Sequence, residues 1–150
     1  MTLHNYTPIK VIGIWLPLGV AQINIVDGRV DGEFASFARD NDDWVEEHDA
    51  HGNETRTKMT NRGGNLAITL SKSSPTNALL SAANILDRET ETVVGPLTLK
   101  DMSGTTLIQG VQAYLKGKPS TISFGNSRGD YVWNFRLVGV TDFAGGHTAL

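Results

Sequence analysis

Along most of the chain apolar and polar residues alternate one for one, the spacing of strands whose two faces meet different surroundings. Asn65 to Ser71 places Leu66, Ile68 and Leu70 on one side and Asn65, Ala67, Thr69 and Ser71 on the other. Tyr131 to Thr141 repeats the pattern, with Tyr131, Trp133, Phe135 and Leu137 against Val132, Asn134, Arg136 and Val138. Val11 to Val20 reads as a strand and turn, broken by Pro17 and Gly19. Leu97 and Leu99 alternate with Thr98 and Lys100, and after a turn at Met102-Ser103-Gly104 a long strand is predicted from Thr105 to about Leu115. Ile122 and Phe124 alternate with Thr121 and Ser123 before a turn over Gly125 to Asp130. Asp27-Gly28 between the runs Ile23 to Val26 and Val30 to Arg39 predicts a hairpin, because Asp-Gly suits a tight turn.

One segment has helical spacing instead. Ser74 is a good N-cap and Pro75 a good first helical residue, since its missing amide hydrogen would have no partner there. The helix is predicted from Pro75 to about Arg88. Leu79, Ala82, Ala83 and Leu86 form its apolar stripe, widened by Leu80 and Ile85. Leu79, Leu80, Ala83 and Leu86 are expected to pack on the sheet. Seven or eight strands with one helix predict a mainly β protomer, a barrel or sandwich with the helix across one opening or side.

Asp40 to Gly64 fits neither pattern. Its first limb is acidic (Asp40, Asp42, Asp43, Glu46, Glu47, Asp49) and its second basic (Arg56, Lys58, Arg62). A two-residue turn at Gly52-Asn53 would set Asp49 opposite Arg56 and Glu47 opposite Lys58. A turn at His51-Gly52 would instead face Asp49 with Glu54, so the first register is preferred. With Trp44, Val45 and Met59 as its large apolar residues, this hairpin cannot bury a core of its own. It is either a solvated loop or a protruding arm that docks on another copy.

At 150 residues the chain fits a single domain with a real core. Hydrophobic content of 39% with 16 glycines and 5 prolines fits an ordered, turn-rich protein. The net charge of −3 argues against gripping nucleic acid through its phosphates. With no cysteine, disulfides, thiolate metal sites and thiol catalysis are excluded. No segment reaches the roughly 18 apolar residues of a membrane-spanning helix, and a soluble protein is expected.

Candidate chemistry is thin. His48, Asp49 and His51 are close in sequence, but their positions near a hairpin tip do not converge on a metal. His4 and His147 lie near the termini. Asp42-Asp43 would face opposite ways on a strand, which spoils shared acid and base work. Ser73-Ser74-Pro75 is a helix cap rather than a nucleophile, and no phosphate loop or Gly-x-Ser-x-Gly elbow is present. No catalytic, cofactor or metal residue is assigned, and no enzyme is expected. The wet strand faces, rich in Thr, Ser, Asn and Gln, are either the outside of the protomer or the lining of a channel formed when copies join.

Taken in order, several motifs resemble the tube proteins of long-tailed bacteriophages, above all the tube subunits of contractile tails, and the related tube protein of type VI secretion. These are Val30-Asp31-Gly32-Glu33-Phe34, the charged hairpin through Asp49-Ala50-His51-Gly52-Asn53, Ser73-Ser74-Pro75-Thr76-Asn77, Gly95-Pro96-Leu97-Thr98-Leu99-Lys100-Asp101 with Gly104-Thr105-Thr106, and Trp133-Asn134-Phe135. They span roughly two thirds of the chain. The resemblance implies a tail protein of the virion, assembled in the host cytoplasm, whose hexameric rings stack into a hollow tube. It implies tail sheath, tape measure and baseplate proteins as partners, and a lumen that conducts DNA without binding it. Asp42, Asp43, Trp44, Glu46, Glu47, Asp49, Arg56, Lys58 and Arg62 then become the arm between subunits. A different tail ring, such as a baseplate or terminator component, is the nearest alternative. A β-sandwich ligand-binding module is the other, with Trp15, Trp44 and Trp133 as stacking platforms, although Trp133 sits on an apolar face and reads as core.

Overall fold

The computed structural model describes residues 11–30, 33–125 and 129–146. His4, His147, Asp31-Gly32 and part of the turn expected over Gly125 to Asp130 lie outside them. Nine strands and one helix follow in order: β1 (Val11–Trp15), β2 (Ile23–Asn24), β3 (Ala35–Arg39), β4 (Trp44–His48), β5 (Glu54–Lys58), β6 (Gly64–Ser71), α1 (Thr76–Thr90), β7 (Gly95–Asp101), β8 (Leu107–Leu115) and β9 (Asp130–Phe143). Seven strands make one antiparallel sheet in the order β2-β1-β7-β8-β9-β6-β3, and β4 and β5 pair only with each other. The protein is therefore mainly β with one flanking helix and a separate charged hairpin.

The alternating faces predicted from the sequence set the inside of this sheet. Leu66, Ile68 and Leu70 of β6, Leu97 and Leu99 of β7, and Trp133, Phe135 and Leu137 of β9 are buried, while Asn65, Asn134 and Lys100 between them face out. Register supports the packing: Leu66 pairs with Phe135 and Ile68 with Trp133. Trp15 packs edge-on to Phe135 at 5.2 Å between ring centres and donates its Nε1–H to the Ala113 carbonyl at 3.1 Å. A buried indole N–H needs such an acceptor, or its desolvation counts against the fold.

The sheet's two edges approach each other at one end. The segment Ile23–Arg29 leaves β1 with Ile25 N–H donating to Gly13 O at 3.1 Å, and reaches β6 where Ser71 N–H donates to Gly28 O at 3.0 Å and Arg29 bridges to Leu70. The hairpin expected at Asp27-Gly28 is thus not formed. Its two limbs lie at opposite edges, β2 on β1 and β3 on β6. Gly28 does take a left-handed turn, φ 74°, but the turn carries the chain across the gap. Its neighbour Asp27 accepts Ser74 Oγ–H at 2.6 Å, which ties the crossing to the start of α1.

Two further expectations change. No strand forms at Ile122 to Phe124; these residues are exposed, Phe124 by 94%. Lys72 donates to the Ser123 carbonyl and its ammonium lies 6.0 Å from the Phe124 ring and 5.3 Å from Tyr131, so a side chain holds this segment in place of a ladder. In β9 the alternation slips: Leu137 and Val140 are both buried, because Gly139 between them has φ 66° and bends the strand.

The helix turns a different face inward from the one expected. Thr76, Asn77, Leu80, Ala83 and Asn84 are buried, and Leu86 packs partly against the core. Leu79 is 50% exposed, and Ala82 and Ile85 also face out. Hydrogen bonds explain the rotation. Trp133 Nε1–H donates to Asn77 Oδ1 at 2.9 Å, Asn77 Nδ2 donates to Ser71 O at 2.8 Å, and Thr76 Oγ1 donates to Asn24 O at 3.1 Å. Pro75 rather than Ser74 stands at the helix boundary, yet Ser74 Oγ still accepts the Thr76 N–H at 3.3 Å.

Candidate assembly site

The arm is built from the two strands that the main sheet leaves out. Every residue of β4 and β5 is exposed, and neither strand makes extended contact with another element. The register is Trp44 with Lys58, Glu46 with Arg56, and His48 with Glu54. The pairs Asp49 with Arg56 and Glu47 with Lys58 therefore do not form, and neither two-residue turn is used. The tip is a three-residue loop in which Gly52 N–H donates to Asp49 O at 3.2 Å and Asp49 N–H to Asn53 O at 3.0 Å. Gly52 has φ 83°, the left-handed position such a loop gives to glycine. The Asp49 carboxylate fixes the turn by accepting from the N–H groups of His51 at 2.9 Å and Asn53 at 2.8 Å, and from Asn53 Nδ2 at 3.0 Å. These bonds, Asn53's side chain first, hold its carboxyl below the usual range. Asp at the first position of a turn and Gly at the fourth was the missed signal.

Cross-strand partners share a face, so Trp44, Glu46, His48, Glu54, Arg56 and Lys58 form one side of the hairpin, and Val45, Glu47, Thr55 and Thr57 the other. On the first side the Arg56 guanidinium lies 3.9 Å from the centre of the Trp44 ring. Trp44 remains 43% exposed, a large apolar surface with cationic cover, and such Trp and Arg pairs are the residue types that anchor interfaces. Glu46, His48 and Glu54 offer ligand atoms within 4.8 Å of one another. All three are exposed with Arg56 opposite Glu46, and no metal role is assigned. The trio His48, Asp49 and His51 is not assembled, since the Asp49 carboxylate is occupied at the tip.

The base of the arm is polar. Arg136 of β9 grips Asp40 through two bonds, Nη1 to Oδ1 at 2.7 Å and Nη2 to Oδ2 at 2.5 Å, with both side chains about four fifths covered. Asn61 Nδ2 donates to the same carboxylate at 3.2 Å, and Asn61 Oδ1 accepts the Gly63 N–H at 2.9 Å. The Arg136 bond first, then Asn61, holds the Asp40 carboxyl below the ordinary range, while Asp40 raises Arg136. Arg39 pairs with Asp43 one turn further out, which raises Arg39. Asp43 is therefore committed within its own chain. Asp42 is exposed, and Arg62 lines a shallow hollow with Arg39, Asp43, Val140 and Asp142. Among the described residues no buried polar side chain lacks a partner, and no helix is long and apolar enough to cross a membrane.

No protein-family model matches this sequence, and no curated protein matches it. Solved structures do share its fold. The tube-terminating cap of the anti-feeding prophage matches over 94% of this chain and 92% of its own, with a TM-score of 0.56 and 14% identity. A chain of the extended sheath-tube complex of PVC, an extracellular contractile injection system, matches over 93% and 92%, with a TM-score of 0.57 and 14% identity. The PVC sheath/tube terminator in the extended state matches over 95% and 99%, with a TM-score of 0.55 and 14% identity. At this identity the likeness is one of fold, and it runs nearly end to end in both directions.

Proposed function

We propose that this chain is a structural, non-catalytic ring component of a contractile tail or injection particle, and specifically the terminator or cap that ends its tube. What supports the ring-component reading is a fold match that covers 92% or more of all three neighbours, and what supports the terminator or cap within it is that two of the three are a cap and a terminator. A subunit that repeats along the tube, the reading first suggested by the sequence motifs, is the second reading, and the match to a chain of the sheath-tube complex favours it. Both readings give the chain copies of itself as first partners, in a six-fold ring through which DNA or another cargo passes. They differ in whether the ring stacks without limit. Tube and sheath proteins are the expected heterologous partners, with tape measure and baseplate proteins further off.

The arm is the expected contact between copies. It leaves Trp44 and Val45 uncovered on a hairpin with no core, which a neighbour would bury. A ligand-binding module is less well supported: Trp15 and Trp133, two of its three stacking platforms, are in the core, and only Trp44 is left. Electron microscopy of the purified protein separates the readings. Rings whose length does not grow with concentration, and which attach to the ends of preformed tubes, are expected of a terminator. Long tubes made by the protein alone would select the repeating subunit, and monomers at every concentration and salt would overturn both.

A further inference from the structure

The arm is a cantilever with a narrow root. At the root one backbone bond joins the two limbs, Asp40 N–H to Gly63 O at 3.2 Å, and one enters from the body, Val140 N–H to Arg62 O at 2.8 Å. Beyond them the hairpin strands make no extended contact with another element, and the described apolar core does not extend into them. What fixes its direction is the two-pronged grip of Arg136 on Asp40, backed by Asn61. Arg136 projects from the outer face of β9, where β6 and β8 flank it through Asn65 and Tyr114, so its guanidinium is anchored to the middle of the sheet. The backbone also makes room for it. A Cβ at Gly63 would run into Arg136 Nη2 and stand 3.0 Å from the Asp40 carboxylate. Gly63 does not have positive φ, so this glycine serves the space the guanidinium occupies rather than a turn.

We propose that Asp40 and Arg136 form a lock that sets the pose of the arm relative to the sheet, and that releasing it lets the hairpin swing as a unit about 39–41 and 61–63. Planar bidentate pairing fixes orientation as well as distance, which a lysine at the same place would not do. The charged groups facing Asp40 are Arg136 and, at longer range, Lys116; those facing Arg136 are Asp40 and the Tyr114 hydroxyl. The nearby Arg39–Asp43 pair also spans the hinge, from the end of β3 to the arm, but its side chains are 42% and 68% exposed against 23% and 22% for Arg136 and Asp40, so it constrains the pose less. The use of the lock in assembly rests on the reading of the arm given above: a fixed pose presents Trp44 at one angle to the neighbouring copy.

The cysteine-free sequence allows a direct test. Spin labels at His51→Cys on the exposed tip and Glu89→Cys on the exposed end of α1 report the arm's pose by pulsed distance measurement, with no need for assembly. The intact pair is expected to give one narrow distance peak. Asp40→Asn, Arg136→Lys and Gly63→Ala are each expected to lose it to a broad distribution, and the swapped pair Asp40→Arg with Arg136→Asp to narrow it again. Near-ultraviolet circular dichroism from Trp15 and Trp133 checks that the body stays folded, and Gly63→Ala keeps the proposal testable if a charge variant fails to fold. A narrow, unmoved peak in Gly63→Ala and Asp40→Asn with the body folded overturns the lock. A broadened arm whose rings still assemble normally would leave the lock standing and remove the arm from assembly.

Discussion

Asn77 shows how much a single polar residue organises here. Its side chain accepts from the Trp133 indole and donates to the Ser71 carbonyl, so it fastens α1 to two neighbouring strands at once. Asn77→Leu strands the buried indole donor, while the Ser71 carbonyl keeps the Ser74 N–H, and a loss of about 1–3 kcal/mol is expected in denaturant melts. Leu80 and Leu79 are adjacent but inequivalent. Leu80→Ala opens a cavity and is expected to cost about 2–5 kcal/mol, whereas Leu79→Ala at an exposed site is expected to stay within about 0.5 kcal/mol in the isolated protomer. This pair also shows what the sequence could and could not tell. Apolarity alone picked Leu79, Ala82 and Leu86 as the inward stripe. The inward face has Asn77, Thr76 and Asn84 in it, and the burial of the first two rests on partners from β2, β6 and β9 that no local pattern names. At Asp40 the direction of the shift sets a pH window. Its carboxyl is lowered by Arg136 from an ordinary 3.8, so the contact's contribution is complete above that value and is lost as pH falls through the lower folded one. The arm signal in the labelled protein is expected to broaden over that acid range, with Asp40→Asn broad at every pH.

At the scale of elements, the strands of the main sheet were legible because each has one face in a continuous core, which stamps a period of two on the sequence. The hairpin β4–β5 has no buried face, and its register was set by the tip alone. There the Asp49 to Gly52 turn overrode the expected pairing of Asp49 with Arg56 and Glu47 with Lys58 and set Glu46 opposite Arg56 instead, since exposed cross-strand pairs contribute under about 1 kcal/mol each. Asp49→Ala is accordingly expected to loosen the tip, seen as faster amide exchange at Gly52 and Asn53, while Glu47→Gln leaves it unchanged. The strand predicted at Ile122 to Phe124 failed for the converse reason: its two alternating apolar residues have no strand to pair with among the described residues. If the arm docks on another copy, reversing Asp42, Asp43, Glu46 and Glu47 to Lys leaves the circular dichroism of the β protomer intact and abolishes assembly. Added salt weakens wild-type assembly in the same direction, given a screening length of about 8 Å at 0.15 M. Docking also buries Trp44. Because Trp15 and Trp133 are core residues, the difference between wild type and Trp44→Phe is the right reporter, and it is expected to shift to the blue on assembly.

For the molecule as a whole, the motifs in the sequence led to a tail-tube resemblance, and the fold matches put terminators and caps beside tube-complex chains. Sequence pattern could not separate these, because the difference lies in whether a finished ring accepts another, a property of exposed faces under no core constraint. The crossing segment Ile23–Arg29 has one more effect, on time. The sheet's neighbours β1 and β7 join Val11 to Asp101, and β6 and β9 join Gly64 to Leu137, so most of the ladder waits on long loops, while β7–β8–β9 is local. Sheets with such distant pairings fold over roughly milliseconds to seconds. The crossing can seat only once both edges exist, so it closes last. Until then one side of β1 and the Leu70–Ser71 end of β6 are open and able to pair wrongly. A refolding protomer thus passes through a short interval in which it is sticky, and a cell making many copies has to keep them apart for that long before rings can form.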